Sequence, residues 1–230
     1  MVDDEQQNRL LITGAAVLTL NKSHDIINDG AVAIEGNKII AIGESAEMYE
    51  RFPDMQTMDA KGKAVMPGLI NSHTHAVLLV LRGTVEDMTG DAIFGYMTPI
   101  SFAMTDDERR AIARLGCLEA IRSGTTTLVE PFRFLAGYAQ GMVETGMRLW
   151  LGENCADALT LKIRHGIYEY DHAFGEQFLE RTVSMVEKFH GAENGRVQCQ
   201  ISAHAPDVCS PWMLEQLNLL AQKYSLTRTV

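Results

Sequence analysis

The sequence predicts an α/β protein in which a small β-sheet domain precedes about the first half of a (β/α)8 TIM barrel. Three observations lead to this prediction. Short apolar runs separated by turns fill residues 9–60, strand-like and helix-like segments alternate from Val65 onward, and one apolar run ends at two histidines, His73 and His75. The chain of 230 residues is 46% hydrophobic, which suits one large or two modest globular domains.

The charge and the apolar segments exclude several kinds of partner. The formal net charge is −10 without a cluster of lysine and arginine, so we expect neither nucleic acid nor an anionic membrane surface as a partner. No apolar stretch approaches the roughly 20 residues of a membrane span, and residues 1–7 are too acidic for a signal peptide. The four cysteines lack CxxC spacing, which predicts reduced thiols and a cytoplasmic location.

Residues 1–64 are predicted to form the small β domain. Residues 10–13 and 16–20 are apolar and rich in β-branched side chains. Two further extended runs, 31–34 and 39–43, flank a turn that contains Gly36 and Asn37, a pattern typical of a β-hairpin.

Residues 65–230 are predicted to form the partial barrel. A helix begins after Thr105, whose hydroxyl and Glu108 make a capping box, and another begins with Ser210 as N-cap and Pro211 as first helical residue. Apolar spacing predicts the other elements: strands at 125–130, 148–152, 197–204 and from 226, and helices at 105–123, 138–145, 174–189 and 211–224. Strands that alternate with helices predict a parallel sheet with right-handed crossovers.

The length of this second region covers only part of a barrel. A closed (β/α)8 barrel needs about 250 residues. Residues 65–230 provide 166, enough for four β/α units and the start of a fifth. We therefore expect this chain to be the N-terminal portion of a longer polypeptide.

His73 and His75 predict a metal site. Side chains at i and i+2 of an extended strand project to the same face, so both imidazoles can reach one cation. Imidazole is a preferred ligand of zinc, iron and nickel. The pair also follows a strand at the end where a (β/α) barrel keeps its chemistry. The alternative is a surface strand with two unrelated histidines.

Several segments resemble the amidohydrolase superfamily over essentially the whole chain, in matching order and spacing. The closest branch contains methylthioadenosine/S-adenosylhomocysteine deaminases, guanine deaminases and triazine hydrolases. The matching segments are residues 65–75, 81–83, 86–87, 122–127, 202–206 and 209–211.

This resemblance implies a metal-dependent hydrolase with one divalent metal, Zn²⁺ or alternatively Fe²⁺, on a (β/α)8 barrel. It implies that His73 and His75 are metal ligands and that His204 orients the substrate and stabilises charge. The remaining ligands and acid/base residues of the family follow the fifth strand, beyond residue 230. The implied reaction is attack of a metal-activated water on a C–N or C–Cl bond of an aminated heterocycle. A homo-oligomer is expected by family analogy.

Three residues at the ends of predicted strands are candidates for substrate binding: Glu130, Glu153 and Asn154. For Glu130 the alternatives are that it supports the two histidines from behind, or that it forms a salt bridge with Arg133; Asp157 is interpreted as a solvated loop residue. In nucleoside-processing relatives a glutamate after a Pro-Ile pair contacts the ribose hydroxyls. Ser101 stands at that place here, which favours a smaller heterocycle such as a triazine, a pterin or a purine base.

Two other functions stay open. One is a cyclic amidase of the dihydropyrimidinase type, which usually carries a carboxylated lysine on strand four. The predicted fourth strand, residues 197–204, contains no lysine, which disfavours this alternative. The other is a non-catalytic truncated subunit that binds a partner.

Overall fold

The computed structural model describes residues 9–88 and 92–230. The chain divides into two compact units, Met1–Pro67 and Gly68–Val230. In this part of the chain every helix falls short of the length or hydropathy that a bilayer-spanning segment needs. All four cysteines are free and buried.

The first unit is built on one mixed sheet. Its elements are β1 (Arg9–Leu18), β2 (Ile26–Glu35), β3 (Lys38–Glu44), α1 (Ser45–Arg51), β4 (Gln56–Asp59) and β5 (Ala64–Val65). The strand order is β3-β2-β1-β4, with β5 also paired to β1. Strands β2 and β3 are antiparallel with Glu35 opposite Lys38, so the predicted hairpin is confirmed. Alternate residues of β1 are buried, as expected for a strand with one face in a core.

The second unit is a parallel sheet whose strands are joined by helices. Its strands are β6 (Leu69–Asn71), β7 (Thr125–Phe132), β8 (Arg148–Cys155), β9 (Val197–Cys199), β10 (Ile201–Ala203) and β11 (Arg228–Thr229). The order is β11-β10-β8-β7-β6 with β9 paired to β8, and each pairing is parallel. Neighbours in sequence are neighbours in the sheet, as in a (β/α)8 barrel, so the predicted partial barrel is confirmed.

The helices of this unit mostly begin where the sequence predicts. They are α2 (Thr98–Ala103), α3 (Asp106–Arg122), α4 (Leu135–Val143), α5 (Thr160–Ile163), α6 (His172–Phe189) and α7 (Pro211–Tyr224), and a 3-10 segment (Ala76–Leu81) and a π-helical segment (Ile93–Met97) precede them. The capping box of Thr105 and Glu108 is present, and the Ser210 hydroxyl accepts the Met213 N–H at the start of α7. Both predicted caps are confirmed.

The apolar run that leads to the histidines is not one strand, which corrects the sequence-based prediction. Residues 64–65 pair with β1 in the first unit, whereas β6 pairs with β7 in the second. Pro67 lies between them and has no N–H to donate to a sheet. Gly68 approaches Thr126 so closely that a Cβ would lie 2.2 Å from its Oγ1. Proline and close packing therefore divide the run into two short strands.

Gly116 on α3 lets that helix approach the segment that follows the histidine pair. A Cβ at this position would lie 2.8 Å from the Ala76 carbonyl oxygen, a backbone atom that cannot rotate away. We therefore expect Gly116→Ala to lower the free energy of unfolding by about 1–3 kcal/mol, the usual cost of overpacking. Urea denaturation measures this change. Unchanged or increased stability would show that α3 and this segment are not tightly packed.

Candidate active site

A cavity of about 490 Å³ lies where the carboxyl ends of neighbouring strands meet in the second unit. This end of a (β/α)8 barrel holds the active site, because the loops that follow the strands converge there. The polar lining residues that end or follow strands β6, β7, β8 and β10 are His73, His75, Arg133, Asn154, His204 and Asp207. The structure thus gathers four of the predicted site residues and adds Arg133 and Asp207.

His73 and His75 are brought together by a bend directly after β6, and not by an extended strand as predicted. Two hydrogen bonds hold this bend: the His73 N–H donates to Asn71 Oδ1 (3.2 Å) and the Thr74 N–H to the Val129 carbonyl (2.9 Å). The two Nε2 atoms lie 3.3 Å apart. Two ligands bound 2.0–2.1 Å from a tetrahedral zinc ion lie about 3.4 Å apart. The pair therefore fits two corners of such a site.

Two half-buried imidazoles of the cavity, those of His75 and His204, have lowered pKa values. Burial lowers the pKa of His75 to about 4, and the neighbouring His73 contributes to the same effect. Burial also lowers the pKa of His204 to about 4, with a further contribution from the Arg133 guanidinium. Neutral imidazole is the form that binds metals and accepts hydrogen bonds.

The donor set is incomplete for a catalytic metal within residues 9–88 and 92–230. In these ranges no group of three or more histidine, cysteine, aspartate or glutamate side chains is arranged to hold a metal ion. Catalytic zinc sites commonly have three protein ligands and one water. His73 and His75 thus bring two candidate donors together, and a catalytic zinc site needs a third.

Glu130 supports the segment after His73 and His75 instead of lining the cavity. Its side chain is fully buried, and its two carboxylate oxygens accept the Ala76 N–H at 3.1 and 2.9 Å. The Tyr138 hydroxyl donates to the same carboxylate at 3.3 Å. Burial raises the pKa of Glu130 to about 8, although these two donors oppose the rise. Because Ala76 directly follows His75, we revise the predicted substrate contact to a positioning role.

Glu153 likewise supports backbone. Its carboxylate is fully buried and accepts the N–H groups of Phe134 (2.5 Å) and Ala136 (3.2 Å). These are N–H groups at the start of α4, which have no partner within the helix itself. This carboxylate explains why α4 begins at Leu135 and not at Tyr138 as predicted. The predicted substrate contact of Glu153 is replaced by a capping role.

Glu153 is expected to make the stability of the fold depend on pH. Burial raises its pKa to about 7, and the N–H groups of Ala136 and Phe134 and the Arg181 guanidinium only partly oppose this. Between pH 4.5 and 7 the folded state therefore holds a proton on Glu153 that the unfolded state has lost, so the contribution of Glu153 to the free energy of unfolding falls as the pH rises. At 1.36 kcal/mol per pKa unit, that contribution falls by about 3 kcal/mol over this range.

Urea denaturation of wild type and Glu153→Gln from pH 4.5 to 7.5 isolates that decrease, because the lowered pKa values of His75 and His204 act in the opposite direction in both proteins. Glu153→Gln keeps the size of the side chain without the ionisation, so the free energy of unfolding of wild type relative to this variant should fall as the pH rises. Glu193→Gln, at an exposed turn, serves as the matched control and should keep the wild-type slope. Equal slopes for Glu153→Gln and wild type would contradict the assignment.

His204, Asn154 and Arg133 form the other side of the cavity. The backbone N–H of His204 donates to the Cys155 carbonyl at 2.8 Å, which fixes the backbone after β10. The Ser202 hydroxyl donates to Asn154 Oδ1 at 3.2 Å, which leaves the amide nitrogen of Asn154 for other partners. The Arg133 Nη2 atom lies 3.4 Å from His204 Nε2, and the Phe94 ring lies edge-on to His204 with centroids 6.3 Å apart.

Sequence patterns did not predict that Arg133 lies in the cavity. The prediction that Asp157 is a solvated loop residue was wrong. Arg133 directly follows the last residue of β7, so its place at the end of a barrel strand was the available signal. Asp157 is fully buried rather than solvated. Its carboxylate accepts the Ser210 N–H (2.7 Å) and hydroxyl, and thereby holds the residue that caps α7. That partner is 53 residues away in the sequence, so no local pattern reveals it.

Known proteins resemble the chain in sequence and in fold. It is 32% identical over 209 residues to the 5'-deoxyadenosine deaminase of Methanococcus aeolicus, covering 90% of this chain and 45% of that protein. It is 31% identical over 209 residues to the 5-methylthioadenosine/S-adenosylhomocysteine deaminase of Carboxydothermus hydrogenoformans, with the same coverage. Its fold matches triazine hydrolase from Arthobacter aurescens with a TM-score of 0.77 at 20% identity, covering 96% of this chain and 52% of that one.

These comparisons agree with the resemblance seen in the sequence. The chain spans about half the length of the curated relatives that it matches. The model of the amidohydrolase family matches residues 64–230, which include all the cavity residues described above. The chain therefore belongs to the amidohydrolase family of hydrolases.

Proposed function

We propose that this chain contributes the first half of the active site of a metal-dependent aminohydrolase that acts on an aminated heterocycle. The observation that carries the proposal is the pair of Nε2 atoms, 3.3 Å apart, at the mouth of a barrel sheet beside a neutral His204. The two similar proteins described above support the proposal, because both are named as deaminases of adenosine derivatives.

His73 and His75 are the residues that would hold the metal, with Zn²⁺ as the first choice and Fe²⁺ as the alternative. A bound divalent ion supplies Lewis acidity, which lowers the pKa of a bound water from 15.7 to about 7. His73 is exposed and His75 half-buried, so the pair faces the cavity from its rim. Glu130 keeps the segment after His75 in place through the Ala76 N–H.

His204 and Arg133 would orient the heterocycle. A guanidinium can only donate, so the contact at 3.4 Å makes His204 Nε2 the acceptor and places the ring proton on Nδ1. Among the described residues Nδ1 of His204 has no hydrogen-bond partner. The ring can therefore donate to a nitrogen or oxygen of the substrate. The rings of Phe94 and Phe132 and the side chain of Leu78 provide apolar walls for a flat ring and restrict water.

The substrate proposed is a small aminated heterocycle, with a C–N or C–Cl bond as the bond that is cleaved. The resemblance to nucleoside-processing relatives supports this choice over a nucleoside, because it implies a ribose-binding glutamate after a Pro-Ile pair, and Ser101 follows Pro99-Ile100 here. Its hydroxyl is fully buried and donates to the Thr98 carbonyl at 2.7 Å. A homo-oligomer and a cytoplasmic location stay predictions.

Release of ammonia or chloride tests the proposed function. The protein is purified at its native length and loaded with Zn²⁺ or Fe²⁺. It is then assayed with aminotriazines, chlorotriazines, pterins, guanine, adenine, adenosine, and aminopyrimidines with and without a ring carboxylate. We expect release from at least one ring compound, its loss after chelation, and its return when metal is added back. A metal-loaded, folded protein that cleaves only cyclic amides, or none of these compounds, would contradict the proposal.

A further inference from the structure

Arg133 is a buried cation on the wall of the active-site cavity. Only 4% of its surface is exposed, and it lines the cavity together with His75 and His204. Moving a charged side chain out of water is costly unless other groups compensate for the lost hydration. The surroundings of Arg133 therefore indicate what the cavity is built to bind.

The neighbours of Arg133 compensate for its charge only in part. Its guanidinium carbon lies 5.4 Å from the Phe102 ring centroid and 5.8 Å from that of Phe132, which allows cation–π attraction. Nη2 contacts the neutral His204 at 3.4 Å. In the described part of the chain Nη1 is buried and has no hydrogen-bond partner.

Among the residues that the structure describes, no carboxylate is in direct contact with Arg133. The salt bridges between described residues involve other arginines and lysines. Glu153 acts on Arg133 only through space, because its oxygens accept the N–H groups of Phe134 and Ala136. Burial lowers the pKa of Arg133 to about 10, which still leaves it charged at pH 7. Among the described residues Arg133 is thus a fixed positive charge without a counterion in contact, although Asp207 also lines the cavity.

We propose that the ligand of this cavity carries a carboxylate that pairs with Arg133. This inference rests on the proposed function, because it narrows the heterocycle to one with a negatively charged substituent. Arg133 would be a specificity-determining residue: a guanidinium donates paired hydrogen bonds to a carboxylate and does so poorly to a neutral amide. A neutral heterocycle would leave the buried cation uncompensated.

Binding, and not turnover, tests the inference. Isothermal titration calorimetry on the native-length protein compares 2-aminopyrimidine-4-carboxylate and 2-aminopyrimidine-5-carboxylate with the matching carboxamides. We expect at least one carboxylate to bind about tenfold or more tightly than its carboxamide, as for a hydrogen bond between charged groups. Arg133→Met should abolish this preference, and Arg122→Met, at an exposed position on α3, should retain it. Equal binding of each pair by wild type, or a preference that persists in Arg133→Met, would overturn the inference.

If Arg133→Met does not fold, a crystal structure tests the inference instead. In a crystal structure of wild type with the preferred carboxylate, an oxygen should lie within hydrogen-bond distance of the Arg133 guanidinium, and a carboxylate bound elsewhere would overturn the inference. The two proposals fail separately. A carboxylate preference without any hydrolysis contradicts only the proposed function, and hydrolysis of neutral rings without any carboxylate preference contradicts only the inference on Arg133.

Discussion

Replacement of His73 or His75 by alanine is expected to reduce the zinc affinity of the native-length protein by more than about 100-fold. Removing a residue that merely supports a metal ligand typically costs 10- to 100-fold, so removing a ligand should cost more. The expected loss follows from the geometry, because only the two Nε2 atoms together, 3.3 Å apart, match two corners of a zinc site. Competition with a fluorescent zinc chelator measures the affinity.

A surface histidine is the matched control for this prediction. His165 is exposed and follows the short helix α5, outside the residues that line the cavity. His165→Ala should bind zinc as wild type does. If His73→Ala and His75→Ala retained wild-type affinity, the metal would lie elsewhere. If His165→Ala lost as much affinity as they do, the measurement would report surface binding.

Glu130 is expected to have the second large effect, and the comparison that shows it is between Glu130→Ala and Glu130→Gln. Both variants lack an ionisable group, so the raised pKa of the carboxylate does not enter their difference. Gln can accept the Ala76 N–H and donate to the Tyr138 hydroxyl. Alanine leaves both groups without a partner and leaves a void where the side chain was. We expect Glu130→Ala to be less stable than Glu130→Gln by about 3 kcal/mol.

The same pair of variants separates positioning from general stability. If Glu130 fixes the segment after His75, zinc affinity should be 10- to 100-fold lower in Glu130→Ala than in Glu130→Gln, measured well below the unfolding temperature of both. A loss of stability with unchanged zinc affinity would leave Glu130 as a packing residue only. Equal stability of the two variants would contradict the hydrogen bonds to Ala76 and Tyr138.

Local patterns in the sequence were sufficient for the elements and for the histidine pair. Thr105 and Glu108 cap α3, and Ser210 caps α7, because the two partners of each cap are only three residues apart. His73 and His75 could be paired for the same reason. Their spacing predicted that the two rings lie together, and they do, even though the backbone bends there instead of continuing as a strand. The physical requirement was only that both rings reach one point.

Contacts between distant residues could not be predicted in this way. Glu130 reaches Ala76 across 54 residues, and Asp157 reaches Ser210 across 53. A carboxylate at the end of a barrel strand can point into the cavity or turn toward backbone N–H groups, and the sequence does not distinguish these outcomes. Glu130 and Glu153 turn toward backbone N–H groups, whereas Arg133, the next residue after β7, lines the cavity.

The central claim is that His73 and His75 bind one metal ion, and anomalous scattering at the zinc edge tests it most directly. Crystals of the native-length protein grown with Zn²⁺ should show a peak about 2.0–2.1 Å from both Nε2 atoms. A well-occupied zinc ion at another place, with the two imidazoles uncoordinated, would contradict the account.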